Sequence, residues 1–148
     1  ATEEVNCIDI SAIATGDNKF AGICAVDGKV VAAPRNADQL LVYDVATEEV
    51  KGIDISAIVT GYNKFVGICA VDGKVVAVSS SADQLLVYDV ATEEVNGIDI
   101  AAFAPVNLPS ACICSVEGEV VAVHRNADKL LVYDVATADV NGIDSAAC

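Results

Sequence analysis

Lys64-Phe65-Val66-Gly67-Ile68-Cys69-Ala70-Val71, followed by Asp72-Gly73 and then Lys74-Val75-Val76-Ala77-Val78, is the stretch that decides the fold. Its branched and aromatic residues favour extended backbone, where side chains that are stiff near Cβ pack well on a pleated surface. Asp-Gly between two such runs is the strongest short-range hairpin signal, because a two-residue turn needs positive φ at both positions. Downstream, Ser79 to Asp83 reads as a polar loop, and Gln84 to Val90 as a third strand. That strand is apolar on both faces and is therefore expected inside a sheet. Ala91 to Glu94 reads as a turn, and Val95 to Ile100 as a fourth strand with Ile alternating with Asp. Such alternation suits an outer strand half open to water, whose charges also oppose edge-to-edge aggregation. No helical periodicity occurs along the chain.

The same grammar recurs. Ala1-Thr2-Glu3-Glu4-Val5 returns at Ala46 and Ala91, and in altered form at Ala136, a period of 45 residues. The first two copies agree at 36 of 45 positions and the second and third at 26 of 45, so a repeat architecture is imposed on the whole chain. Four antiparallel strands per repeat is the unit of a β-propeller blade. The expected fold is all-β: three four-stranded antiparallel repeats of 45 residues, β-propeller-like, partial or completed by a partner. The single repeat domain 1–148 divides into blades at 17–61, 62–106 and 107–148, with 1–16 read as the outer strand and exit loop of a preceding blade. The alternative is a β-trefoil or β-prism, which also pack three four-stranded repeats. Propeller rings close with about four to eight blades. Three blades therefore imply a segment of a longer protein, a six-bladed ring from two chains, or a sector covered by a larger assembly.

Lys19 to Ala32 reads Lys-Phe-Ala-Gly-Ile-Cys-Ala-Val-Asp-Gly-Lys-Val-Val-Ala, and Asn36 to Val50 reads Asn-Ala-Asp-Gln-Leu-Leu-Val-Tyr-Asp-Val-Ala-Thr-Glu-Glu-Val. Together they resemble the kelch-like and WD-like propeller repeats abundant in microalgal proteins, where a Gly-bearing hairpin precedes an apolar strand ending in Asp and a Thr-bearing turn. The resemblance covers residues 17–148 in three copies. It implies binding or scaffolding rather than an activity.

Net charge is −14, which argues against nucleic acid and anionic lipid headgroups as partners. Asp or Glu interrupts every apolar run well short of the roughly 20 residues of a helical membrane span. The chain contains no Met and starts at Ala1, which reads as a processed amino terminus or a piece of a longer protein. With the algal-type repeats, this places the protein in an organelle lumen, the thylakoid lumen included, or outside the cell.

Of six cysteines, Cys24, Cys69 and Cys114 hold one equivalent position in apolar strands and read as small buried hydrophobes. Cys7 and Cys148 lie in copies of the same element at opposite ends of the sequence and are a candidate disulfide. No Cys-x-x-Cys occurs, so a structural zinc site is not expected. Asp38, Asp83 and Asp128 precede the third strand, and Asp44, Asp89 and Asp134 end it. They lack the spacing of an EF-hand and read as turn-ordering groups.

Departures from the repeat are the candidate functional positions. In the third copy, Pro105-Val106-Asn107-Leu108-Pro109-Ser110 replaces a segment with Gly and Lys, and is the candidate partner-contact loop. The candidate variable loop is His124-Arg125-Asn126. His124 has no nucleophile nearby in sequence, so no catalytic residue, metal ligand or cofactor site is assigned. The expected function is a non-catalytic structural and protein-interaction repeat protein, a peripheral subunit of a larger assembly, with the lumenal side of an algal photosystem complex as one setting. Its partners would be other proteins of that complex. The alternative is a small-ligand or carbohydrate-binding module with three equivalent sites at Asp38, Asp83 and Asp128.

Overall fold

The computed structural model describes residues 3–80, 83–103, 111–124 and 128–144, and every regular element in them is a β-strand. Sheet I contains β1 (Phe20–Val26), β2 (Lys29–Pro34), β3 (Gln39–Asp44) and β4 (Glu49–Asp54). Sheet II contains β5 (Phe65–Val71), β6 (Lys74–Ser79), β7 (Gln84–Asp89) and β8 (Val95–Asp99). Sheet III contains β9 (Ala111–Val116), β10 (Glu119–His124), β11 (Lys129–Asp134) and β12 (Val140–Asp144). Strands follow sequence order across each sheet, and all pairs are antiparallel. Ladders stay within a repeat, as in stacked propeller blades, and do not join repeats into a shared barrel.

Local chemistry sets the corners. The first hairpin of each sheet turns at Asp27-Gly28, Asp72-Gly73 and Glu117-Gly118, all with positive φ. Backbone of that hand matches the twist of the flanking strands. At the third-to-fourth strand turn, Asp44 Oδ1 accepts the Ala46 and Thr47 amides at 2.9 and 3.2 Å, and Asp89 and Asp134 repeat the arrangement. The segment Val5–Ile10, read as an outer strand, carries none in the structure. Its copies are strands only through their pairing with the third strand of their own sheet.

Because successive side chains point to opposite faces, each middle strand builds two apolar surfaces. In sheet II the face toward sheet I, called the leading face, presents Val75, Ala77, Leu86 and Tyr88, all 0 % exposed. Its trailing face presents Val76, Val78, Leu85 and Val87 to sheet III. The leading face packs against Val31, Ala33, Leu40 and Val42 of sheet I, and the trailing face against Val120, Ala122, Leu131 and Tyr133 of sheet III. The rule is the same at both junctions: trailing face onto the leading face of the next sheet. Each fully buried Leu or Val contributes about 1.5–3 kcal/mol relative to exposure, so these junctions dominate stability.

Candidate interaction surfaces

Between sheets I and II a polar clasp supplements the apolar packing. Lys64, just before β5, has a side chain with 0 % exposure. Its Nζ donates to the carbonyls of Asn36 (3.2 Å) and Ala37 (2.9 Å) and lies 3.2 Å from Asp38 Oδ1. Arg35 Nε donates to Asn63 Oδ1 at 3.0 Å, and the Asn63 amide to Asn36 Oδ1 at 3.1 Å. The Lys64 amide donates to the Arg35 carbonyl at 2.9 Å. Thus Asn63-Lys64 of one repeat reads the Arg35-Asn36-Ala37-Asp38 loop of the repeat before it. A buried ammonium survives there because the carbonyls take over part of its hydration.

The first strands approach closely. A Cβ on Gly22 would lie 3.1 Å from Ile68 Cγ2, so glycine permits contact of β1 with β5. Ser115 Oγ donates to the Ala70 carbonyl at 2.8 Å, tying β9 to β5. On these strands burial raises the thiol of Cys24 to about 11 and that of Cys69 to about 12. Both are therefore protonated packing groups at neutral pH. Cys114, at the same position of sheet III, is exposed.

Of the expected site residues, the structure describes Cys7 and His124. Pro105–Ser110, Arg125, Asn126 and Cys148 lie outside the described residues, while Cys7 is exposed. His124 ends β10 with 4 % exposure, hydrogen-bonded to the Ser79 main chain, and burial holds its imidazole below its ordinary value. It is a buried residue between sheets II and III. Asp44, Asp89 and Asp134 order turns as expected, with Lys29 and Lys74 also paired to the first two. At Asp38 and Asp83 it is the main-chain carbonyl that accepts, from the Ile55 and Ile100 amides. Among the described residues no group of three or more His, Cys, Asp or Glu is arranged to hold a metal ion.

What sequence reasoning missed is the pair of open end faces. The leading face of sheet I carries Val30, Ala32, Leu41 and Tyr43, and the trailing face of sheet III carries Val121, Val123, Leu130 and Val132. Ala32 and Leu41 are buried at 7 % and 9 % exposure, but Val30, Tyr43, Val121, Leu130 and Val132 are only half-buried, though their counterparts in sheet II are closed. Among the described residues, five of the eight exposed large hydrophobics belong to these ends: Ile23 and Val45 on sheet I, and Val116, Val123 and Ile143 on sheet III. The equivalents of Val45 (Val90, Val135), Val116 (Val26, Val71) and Val123 (Val78) are at most 9 % exposed, whereas those of Ile23 (Ile68, Ile113) and Ile143 (Ile53, Ile98) are half-buried. The signal was available in the two-sided apolar pattern of the second and third strands in every copy.

No protein-family model matches the chain, and no curated relative does. Solved structures do. The WD40 repeats of RRP9 superpose with a TM-score of 0.65 at 6 % identity, over 87 % of this chain and 39 % of that one. The extracellular domain of a one-component system from B. thetaiotaomicron gives 0.63 at 16 % identity, over 83 % and 16 %. Apo AztD from Citrobacter koseri gives 0.63 at 11 % identity, over 88 % and 36 %. This chain therefore spans well under half the length of each of these three. At such identities the likeness is one of fold, and that fold is a β-propeller-like stack of four-stranded repeats.

Proposed function

We propose that this protein is a non-catalytic protein-interaction module that works as a peripheral subunit of a larger assembly. The observation that carries the reading is the exposure of apolar side chains on two opposite end faces of an otherwise closed stack. Exposed apolar side chains gathered on one face are characteristic of protein contact sites. The groups most apt for chemistry are committed to structure: His124 is buried against Ser79, and burial keeps Cys24 and Cys69 protonated. The net charge of −14 favours a basic protein surface as neighbour. An organelle lumen or the extracellular space is the proposed location, and the lumenal side of an algal photosystem is the setting that the repeat resemblance supports.

A three-site ligand-binding reading fits less well. Lys64 reaches Asp38, whereas the third repeat has Pro109 at the position equivalent to Lys64, so the three Asp positions are not equivalent. The test is native electrophoresis of membranes and soluble fractions from the source, followed with an antibody to this chain. Migration with a complex much larger than a few copies of the chain is expected. Recovery solely as free chain or small homo-oligomer would overturn the reading.

A further inference from the structure

We propose that the junction of sheets I and II holds a binding site for one small zwitterion, with the size and charge pattern of a free α-amino acid. The site is a cavity of about 310 Å³ lined by Lys29, Val42, Asp44, Glu49, Val50 and Lys51. That volume lies at the lower end of the range for small-molecule sites.

The ladders set where these side chains point. Lys29 stands opposite Asp44, Asp44 opposite Glu49, and Val42 opposite Lys51. Directly opposed residues share a face, and Val42 packs in the core cluster between sheets I and II. Lys29, Asp44, Glu49 and Lys51 therefore project from sheet I toward sheet II. Lys51 crosses the junction and pairs with Glu93, in the turn between β7 and β8. From sheet II, Tyr88 faces back. Its ring belongs to the same cluster as Val42, and the Lys29 charge acts on its phenol. The cavity is thus walled by described residues of two adjacent sheets and by neither end of the chain.

Tyr88 points to an occupant. It is 0 % exposed, and among the described residues its hydroxyl is the buried side-chain polar atom without a hydrogen-bond partner. Native folds pair nearly all such atoms, so an exception calls for a water, an ion or a functional role. Burial raises the phenol's pKa, so the hydroxyl keeps its proton at neutral pH and is free to donate it.

The bonding capacity left around the cavity defines the chemistry of the occupant. Both Asp44 oxygens are engaged, Oδ1 by the Ala46 and Thr47 amides and Oδ2 by Lys29. An ammonium has three donors, so Lys29 and Lys51 each keep donors to spare after pairing with Asp44 and Glu93. Tyr88 adds another. Against them the lining offers one uncommitted carboxylate, that of Glu49. Spare donors call for a carboxylate, and Glu49 calls for an ammonium on the same molecule. A simple anion would face Glu49 with like charge, and a simple cation would meet two lysines. Lys29 and Glu49 sit on the strands flanking β3, two strand spacings or about 10 Å apart, and their side chains reach in toward a molecule of amino-acid size. The full set occurs at this junction and not at the next. There Lys74, Asp89, Glu94 and Tyr133 recur, but Asn96 replaces Lys51 and Ala138 replaces Glu93. One site per chain is therefore expected.

Nuclear magnetic resonance of the purified, nitrogen-labelled chain supplies the test. Glycine, L-alanine and L-serine are titrated separately into the millimolar range, with acetate and methylammonium as probes bearing one charge each. The amino acids should give saturable amide shifts confined to β2, β3, β4 and the turn between β7 and β8, fitting one site. Acetate and methylammonium should bind at least about tenfold more weakly. Lys51→Asn, the residue of the other repeats at an exposed position, should weaken the amino acids at least about tenfold. Tyr88→Phe keeps the ring and removes only the unpaired hydroxyl, so it should retain the thermal midpoint while weakening binding about fivefold. No saturable shift with any of the three amino acids would mean that water alone fills the cavity, and would overturn the proposal. Equal affinity for acetate or methylammonium, shifts centred elsewhere, or binding unchanged in both variants would also overturn it. These readouts involve no partner protein, so they succeed or fail independently of membership in a larger assembly.

Discussion

Lys64 shows how one side chain divides its work between partners of unequal weight. Its Nζ is sealed from water, but Asp38 is 84 % exposed and its carboxylate is screened by solvent. The carbonyls of Asn36 and Ala37 are therefore the partners that matter. Lys64→Met should destabilise the fold by about 2–4 kcal/mol, because it strips donors from an ordered loop. Asp38→Asn should leave chemical denaturation unchanged within error. A second residue-scale test concerns β10. The register sets Lys29 opposite Asp44 and Lys74 opposite Asp89, but Glu119 opposite Asp134. Like charges directly across a ladder repel. Glu119→Lys should raise the thermal midpoint by about 2 °C, read by calorimetry. The pairing itself was legible in the sequence, since the repeat aligns these positions. The clasp was not: Lys64 lies 26 residues from Asp38, in another repeat, and only sheet stacking joins them.

At the scale of the element, hairpins were the clearest part of the sequence. Asp-Gly encodes its own backbone, so β5 and β6 fall where local chemistry puts them. The third copy strains this rule, because Glu117 occupies the left-handed region at φ 47° where the other copies have Asp. A side chain that cannot bond to its own backbone gains nothing there. Glu117→Asn should stabilise by about 0.5–1 kcal/mol in urea titration, with unchanged slope. The copy Val5–Ile10 marks the limit of local reading. It repeats the residues of β8 except for Cys7 in place of Gly97, yet forms no strand, because an outer strand is made by its ladder partner and not by its own alternation.

For the whole molecule, acidity and burial together set the response to pH. Hydrogen bonds from Lys29 and Lys74, then turn amides, hold Asp44 and Asp89 below the ordinary carboxylate value. Depressed acids stabilise the fold above their unfolded value, and that share is lost as pH falls through the folded value, below about pH 4. His124 adds a separate step. Burial lowers its pKa from 6.5, so the unfolded chain binds its proton more readily and stability declines as pH drops below that value. The thermal midpoint should therefore fall gently from about pH 6.5 and steeply below about pH 4. His124→Gln should remove the first limb and keep the second, whereas Asp44→Asn with Asp89→Asn should flatten the second.

Apart from the copy at Val5–Ile10, strand positions, turn types and the division into three sheets were present in the amino-acid order, because each rests on contacts between near neighbours: φ preferences, period-two alternation and hairpin closure. Which faces end up covered was not. Every copy carries the same two-sided apolar strands, so no residue in sheet I announces that Val30 and Tyr43 of its leading face are half-exposed while the identical face of sheet II is sealed. That difference comes from stacking order, a property of sheets separated by tens of residues. Hydrophobic burial is non-directional and reads only what lies opposite. The sequence could write the surface three times, but only the packed arrangement shows which copy of it is covered.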